Sequence, residues 1–292
     1  MTTKKIEAIL PAGAIHWVGE GFRVHNFIPG NPRLSMRRMD PFILMDYNLK
    51  HTFPPSEKPR GVGVHPHRGF ETVSIAYKGR IAHHDSSGAG GVIGEGEVQW
   101  MTAAAGVLHK EYHEESFSRK GGEFHMVQLW VNLPAKDKMS PPKYQAVTRE
   151  SMQKYLLPGD LGTVEVIAGE LRGVNGSATT FTPMHLLNAR FNAGAEETFS
   201  FPAHYNTALL VIEGSFRIND MEKAKPDHFV LFENAGETFT LSAEEDAIAL
   251  ILSGEPIGEP IAAGGPFVMN TREELAQAYE DFHAGRFGHL ED

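Results

Sequence analysis

Short runs of β-branched and aromatic residues, separated by turn clusters, recur through most of this 292-residue chain. ETVSIAY (71–77), HMVQLWVNL (125–133), TALLVIEGSFRI (207–218) and DAIALILSG (246–254) have the composition of strands. In the second run Val127, Leu129, Val131 and Leu133 share one face of the pleat, with Met126, Gln128, Trp130 and Asn132 opposite. SSGAGG (86–91) and VNGSA (174–178) supply turns between such runs. Short strands with frequent turns argue for an all-β sandwich or barrel over helix-linked parallel sheets.

The halves echo each other. Each carries a strand ending in glycine, IAYKG and LLVIEG, followed by a polar turn and a further group of strands. Two barrels in tandem are therefore expected. The Pro- and Lys-rich stretch PAKDKMSPPKY (134–144) reads as an exposed linker, which divides the chain into domains at 1–142 and 143–292. TRESMQKYL (148–156) reads as a short helix. A longer helix is expected at about 271–284, closing the second domain. There Thr271 and Glu274 form a capping box, Leu275, Tyr279 and Phe282 recur on one face, and Gly285 supplies the stop.

Charge and cysteine content narrow the function. With 27 basic and 37 acidic residues the net charge is −10, which disfavours direct nucleic-acid binding. The absence of cysteine removes disulfides, thiolate metal sites and cysteine nucleophiles. The start, MTTKKIEAILPAG, lacks the apolar stretch of a secretory signal, and no run is long enough to span a bilayer. A cytoplasmic protein without membrane association is expected.

Chemistry concentrates in two fragments. In HPHRGFETVSIAYKG (65–79), His65 and His67 are two residues apart, so on a strand they point to the same side. QWMTAAAGVLHKEYHEE (99–115) offers His109 and Glu111 at the same spacing. If these strands are neighbours, three imidazoles and one carboxylate meet, a nitrogen and oxygen set that suits Fe(II), Mn, Ni, Co or Cu(II). The histidines of AHHDSSG (82–88) read as a polar turn beside a strand, and His113, Glu114 and Glu115 as a solvated loop. His204 and His228 lack a second ligand at the right spacing and read as structural or surface residues.

The pattern His65-x-His67-x3-Glu71-x7-Gly79, with Gly106-x2-His109 after it, resembles the two motifs of the cupin superfamily. The strings MDPFILMDY (39–47), HPHRGFETVS, QWMTAAAGVLHKE, QLWVNLP and the tail GEPIGEPIAAGGPFVMNTREELAQAYEDFHAGRFG (254–288) resemble the pirin family specifically. That resemblance runs from about residue 20 to the C-terminus. It implies an all-β fold of two tandem cupin barrels (double-stranded β-helix, or jelly-roll) with a C-terminal amphipathic helix, and metal in the N-terminal barrel alone. Carried over residue by residue, the ligands are His65, His67, His109 and Glu111. General cupin spacing nominates Glu71 instead. The usual HxxxN ending is replaced here by His109-Lys110-Glu111, which favours Glu111 and leaves Glu71 as a neighbour of the site.

The resemblance also implies an activity. Several pirins are quercetin 2,3-dioxygenases, which open the flavonol heterocycle with dioxygen and release carbon monoxide. One divalent transition metal is expected, Fe(II) first, with Mn, Ni, Co, Cu or Zn as alternatives. Glu111 would serve as ligand and as catalytic base toward the flavonol 3-hydroxyl. The alternative is a metal- and redox-dependent regulatory protein that binds a transcription factor or a metabolic enzyme. Storage, or a bicupin sugar-phosphate isomerase, ranks below both, since no distinctive phosphate-binding string is present.

Overall fold

The computed structural model describes residues 2–292, which form strands in two units and few helices. One unit comprises Gly13–Arg149 and Ile257–Asp292. Its larger sheet orders the strands Lys143–Val147, Val98–Thr102, Phe70–Lys78, Gly122–Asn132, Phe42–Phe53, Phe22–Ile28 and Ile15–Val18. Its smaller sheet orders Gly61–His67, Val107–His113, Ile81–Asp85 and Gly90–Ile93. All these neighbours pair antiparallel.

The other unit comprises the chain up to Ala12 together with Glu150–Pro256. It repeats the plan of seven strands in one sheet and four in another. The connections also repeat, except for one outermost strand. That strand follows its barrel in one unit (Lys143–Val147) and precedes it in the other (Ile6–Pro11). This is the arrangement of two tandem barrels that the halves' echo predicts.

The division into units is not linear at residue 142. Ile6–Pro11 joins the later barrel because it ladders onto His228–Phe232, with Ile9 opposite Val230. The C-terminal helix, Arg272–His283, belongs with the earlier barrel. Its Leu275, Ala278 and Phe282 pack with Phe267, Phe287 and Leu108, so burial of its apolar stripe fixes its place. The helix itself is as expected, with Thr271 and Glu274 capping reciprocally.

Two local expectations are overturned. TRESMQKYL is a turn followed by the strand Gln153–Leu156, which pairs with Gly162–Ala168. The ladder satisfies backbone groups that a two-turn helix would leave largely unpaired. The Pro- and Lys-rich stretch, though exposed at Lys136, Met139 and Lys143, is no linker: it lies inside one unit, Lys138 is fully buried, and Lys143 opens a strand on Val98–Thr102.

Both cores are aromatic. In the unit with Ile6–Pro11, Phe199 stacks on Phe239, which stacks on Phe232, filling the barrel with rings. In the other unit Phe22, Phe53, Phe117 and Phe124 surround His113, a buried strand residue rather than a loop residue. Glu114 caps the short helix Glu115–Lys120. His125 is also buried, with Nε2 2.8 Å from the Tyr47 hydroxyl. Burial pushes both imidazoles down to about 4.

This makes the fold acid-sensitive. Between the unfolded value of 6.5 and about 4, the unfolded chain binds protons that the buried rings refuse. Stability is therefore complete above pH 6.5 and falls as the pH drops through that window, by about 3 kcal/mol per histidine. Denaturant midpoints measured across the window should show the slope, and His125→Phe should remove one proton's share of it.

Among the described residues no helix is long and apolar enough to cross a membrane.

Candidate metal centre

Three neighbouring strands of the smaller sheet carry the site. In the Gly61–His67 strand the two-residue spacing puts His65 and His67 on one face. Val107–His113 pairs with it so that His109 lies directly opposite His65. A register shift follows between His109 and Glu111. The result is a tight group of rings, with centroids 4.2 Å (His65–His109), 4.7 Å (His67–His109) and 4.8 Å (His65–His67) apart. One nitrogen from each of the three lies within 4.8 Å of the others.

The rings are neutral and oriented. Burial, reinforced at His67 and His109 by the neighbouring imidazoles, holds these two well below the ordinary histidine range. His65 is lowered by burial as well. Neutral imidazole is the form that binds a metal. His65 Nδ1 lies 2.8 Å from the Gly63 carbonyl and His67 Nδ1 3.3 Å from the Pro266 carbonyl, so in each ring Nε2 is the nitrogen left over. His109 Nε2 is buried with no hydrogen-bond partner at all. A bare, buried nitrogen beside two further imidazoles is a donor that a transition metal could take up.

Glu111 stands in a cradle of donors. Its Oε1 accepts from Gln99 Nε2 and lies 2.8 Å from Ser74 Oγ, and its Oε2 is 3.3 Å from Gln128 Nε2. Ser74 Oγ is also 2.5 Å from Gln128 Oε1. A carboxylate oxygen of Glu111 lies within 4.8 Å of a nitrogen of His109 and of His83, a residue not expected at the site. His83 and Asp85 are buried strand residues, not a polar turn: the Ile81–Asp85 strand pairs with Val107–His113 on the side away from His65. Glu111 sits opposite His83, and His109 opposite Asp85. The i, i+2 spacing of His83 and Asp85 on a strand was the available signal.

Glycine and arginine support the site from behind. Gly106 has φ 124°, and a Cβ there would come within 2.5 Å of the Phe287 ring. Arg68 donates to Asp281 at 2.8 Å and to the Ala105 carbonyl at 2.7 Å, and its guanidinium lies over Phe287. The acid that pairs with Arg68 is thus supplied by the C-terminal helix.

Comparison with known proteins now places the chain. Residues 21–131 match the family model for pirin, and residues 186–288 match that for the pirin C-terminal cupin domain. A Pseudomonas aeruginosa protein provisionally named quercetin 2,3-dioxygenase is 45% identical, over 97% of this chain and 98% of its own. The chain belongs to the pirin family. Mouse pirin is 36% identical over 92% of this pirin and 89% of the mouse protein. A solved quercetin 2,3-dioxygenase from Acinetobacter baumannii superposes with a TM-score of 0.92 at 44% identity, covering 99% of this chain and 100% of that one.

Next to the histidines this pirin holds a cavity of about 310 Å³, lined by His65, His67, Glu111 and Gln128 at one part and by Val18, Phe22, Val24, Val62, Met126 and Trp130 elsewhere. Trp130 stacks on Phe70 and meets the edge of His67, so it is a wall of this space as well as core. Trp100, by contrast, is wholly buried. Asp46 and Asn48 complete the lining. Burial raises Asp46 despite a 2.7 Å hydrogen bond from Asn26, and Asn48 Oδ1 is buried without a partner.

Glu71 is elsewhere. It lies three residues from Ser74 on the Phe70–Lys78 strand, hence on the opposite face, and accepts from Thr102 Oγ1 at 2.7 Å. Burial pushes its carboxyl up to about 7. Glu71→Gln should therefore leave the metal content per chain unchanged, as elemental analysis would show. In the repeated barrel the matching strands, Glu196–Ser200 and Thr238–Ser242, bury Phe199, Phe239 and Leu241. Among the described residues both groups with metal-ligating potential lie in the other unit. His204 is largely exposed, 3.7 Å from Glu255.

Proposed function

We propose that this pirin is a metal-dependent dioxygenase of the quercetin 2,3-dioxygenase type, acting on flat flavonol-like molecules. The observation that carries the reading is the bare, buried Nε2 of His109 beside His65 and His67, at an apolar cavity with Glu111 in its wall. The donors fit a divalent transition metal of intermediate softness, since all are imidazole or carboxylate and none is sulfur. His65, His67, His109 and Glu111 would hold it, and Fe(II) is our first choice. When bound, such an ion lowers the pKa of a substrate hydroxyl and brings redox chemistry to the site.

The chain's own residues do the rest. About 310 Å³ suits one small planar molecule, and Phe22, Met126 and Trp130 offer apolar walls for its rings. Glu111 is placed to take the 3-hydroxyl proton, and Ser74, Gln99 and Gln128 fix where its oxygens point. The polar part of the lining includes Asn48, whose buried Oδ1 has no partner within the protein and would be the acceptor for a second hydroxyl that reaches it. Asn48→Leu should accordingly raise KM for quercetin by up to about tenfold with little change in kcat, the worth of one hydrogen bond.

The deciding experiment is quercetin-dependent oxygen uptake on protein of measured metal content. Glu111→Gln should lower turnover by about 10²-fold or more, the usual share of a general base. Unchanged turnover in that variant would remove Glu111 from the chemistry. A metal-loaded native protein that consumes no oxygen with any flavonol would sink the enzyme reading and leave the regulatory alternative.

A further inference from the structure

Behind His109 a second chain of contacts leads away from the cavity. His83 Nδ1 is 3.4 Å from His109 Nδ1, and His83 Nε2 is 3.1 Å from Asp85 Oδ2. The other oxygen of Asp85 is already taken by the Ser87 amide at 2.9 Å, the Ser87 hydroxyl at 2.6 Å and the Ala89 amide at 3.2 Å. His83, Asp85 and His109 are all buried, and Tyr144 stacks on His83 at 5.2 Å. Few protons can be placed on these atoms consistently. A carboxylate only accepts, so a neutral His83 carries its proton on Nε2 and presents a lone pair at Nδ1. That lone pair can face His109 Nδ1 only if His109 holds a proton there. Its Nε2 is then deprotonated, in agreement with the absence of any hydrogen-bond partner at that atom.

We infer that Asp85 and His83 form a two-step relay that fixes the tautomer of His109, keeping its Nε2 bare for a divalent transition metal. Both are positioning residues. Neither belongs to the expected ligand set, and the inference rests on the metal reading given above. Carboxylates and carbonyls commonly orient metal-bound histidines. Here an imidazole is interposed, which sets the tautomer of the ligand through a second tautomer.

Ni(II) alone, an air-stable probe, is titrated calorimetrically into metal-free protein. His83→Phe keeps an aromatic ring against Tyr144 but removes the acceptor, and should weaken Ni(II) binding about 10- to 100-fold. His83→Gln can accept through Oε1 and donate to Asp85 through Nε2, and should restore most of the loss. Nitrogen-15 NMR of the metal-free native protein should show His109 protonated on Nδ1, and both tautomers in His83→Phe. Should His83→Phe fail to fold, Asp85→Asn gives the same comparison, because its amide can donate to His83 and reverse the relay. Equal affinity in native protein and His83→Phe, or no rescue by glutamine, overturns the inference. So does a second Ni(II) per chain that requires His83, since His83, His109 and Glu111 would then be ligands of their own. If native protein binds no Ni(II), the metal reading fails, while the NMR result still decides the relay.

Discussion

Replacing His109 with alanine should give a folded protein that holds no metal and turns over no flavonol. His109 is the middle ring of the group, within 4.7 Å of both other histidines by centroid, and its strand lies between theirs and that of His83. Its loss leaves two imidazoles and a carboxylate already held by Ser74, Gln99 and Gln128. The contribution at stake is several kcal/mol of transition-state stabilisation, which corresponds to a fall of about 10³-fold or more in oxygen uptake. Folding should suffer less, by about 1–3 kcal/mol, chiefly from the acceptor left unpaired on His83. Elemental analysis should drop from one metal per chain to none. Full-rate turnover by a metal-free His109→Ala protein would end the proposed mechanism.

The second large effect is expected outside the histidine cluster. Lys138 is wholly buried, and its ammonium donates to the Gly69 carbonyl at 2.7 Å, Asn132 Oδ1 at 2.7 Å and the Val268 carbonyl at 2.9 Å. Burial lowers its pKa to about 8, yet each ammonium hydrogen has an acceptor. Lys138→Met keeps the stem and removes all three bonds at once. Leaving three buried neutral acceptors without a donor costs about 3–5 kcal/mol in all, which denaturant midpoints would report directly. Gly69 lies two residues beyond His67, so the same variant should also bind metal more weakly. A variant as stable as the native protein would show that the three acceptors find other partners.

Legibility in the sequence followed the range of the interactions. The strands of residues 71–77 and 125–133 were readable because their patterns are local, and so was the cap of the C-terminal helix. His65, His67 and His109 come together as their two-residue spacing and the family motifs imply. The preference for Glu111 over Glu71 came from the family pattern and the missing HxxxN ending, and strand parity is consistent with it, since Glu71 and Ser74 sit on opposite faces. His83 and Asp85 were misread because a glycine- and serine-rich turn follows them immediately, which masked a short buried strand. Lys138 was misread for a related reason. Lysine among prolines suggests exposure, and only the three acceptors gathered from residues 69, 132 and 268 make its burial tolerable. The crossed membership of the two ends carries no local signal, as it depends on pairing between residues more than 200 positions apart.

The contact between His67 and Pro266 sets an order of assembly during synthesis. The carbonyl facing His67 Nδ1 is made 199 residues after the histidine itself. Arg68 waits longer still for Asp281, and the ring of Phe287 that packs against Gly106 is made later than either partner. A nascent chain can therefore display all three histidines on the ribosome while the backing that orients them has yet to be translated. Full orientation of the three histidines would then have to wait until residues 266–287 have been made.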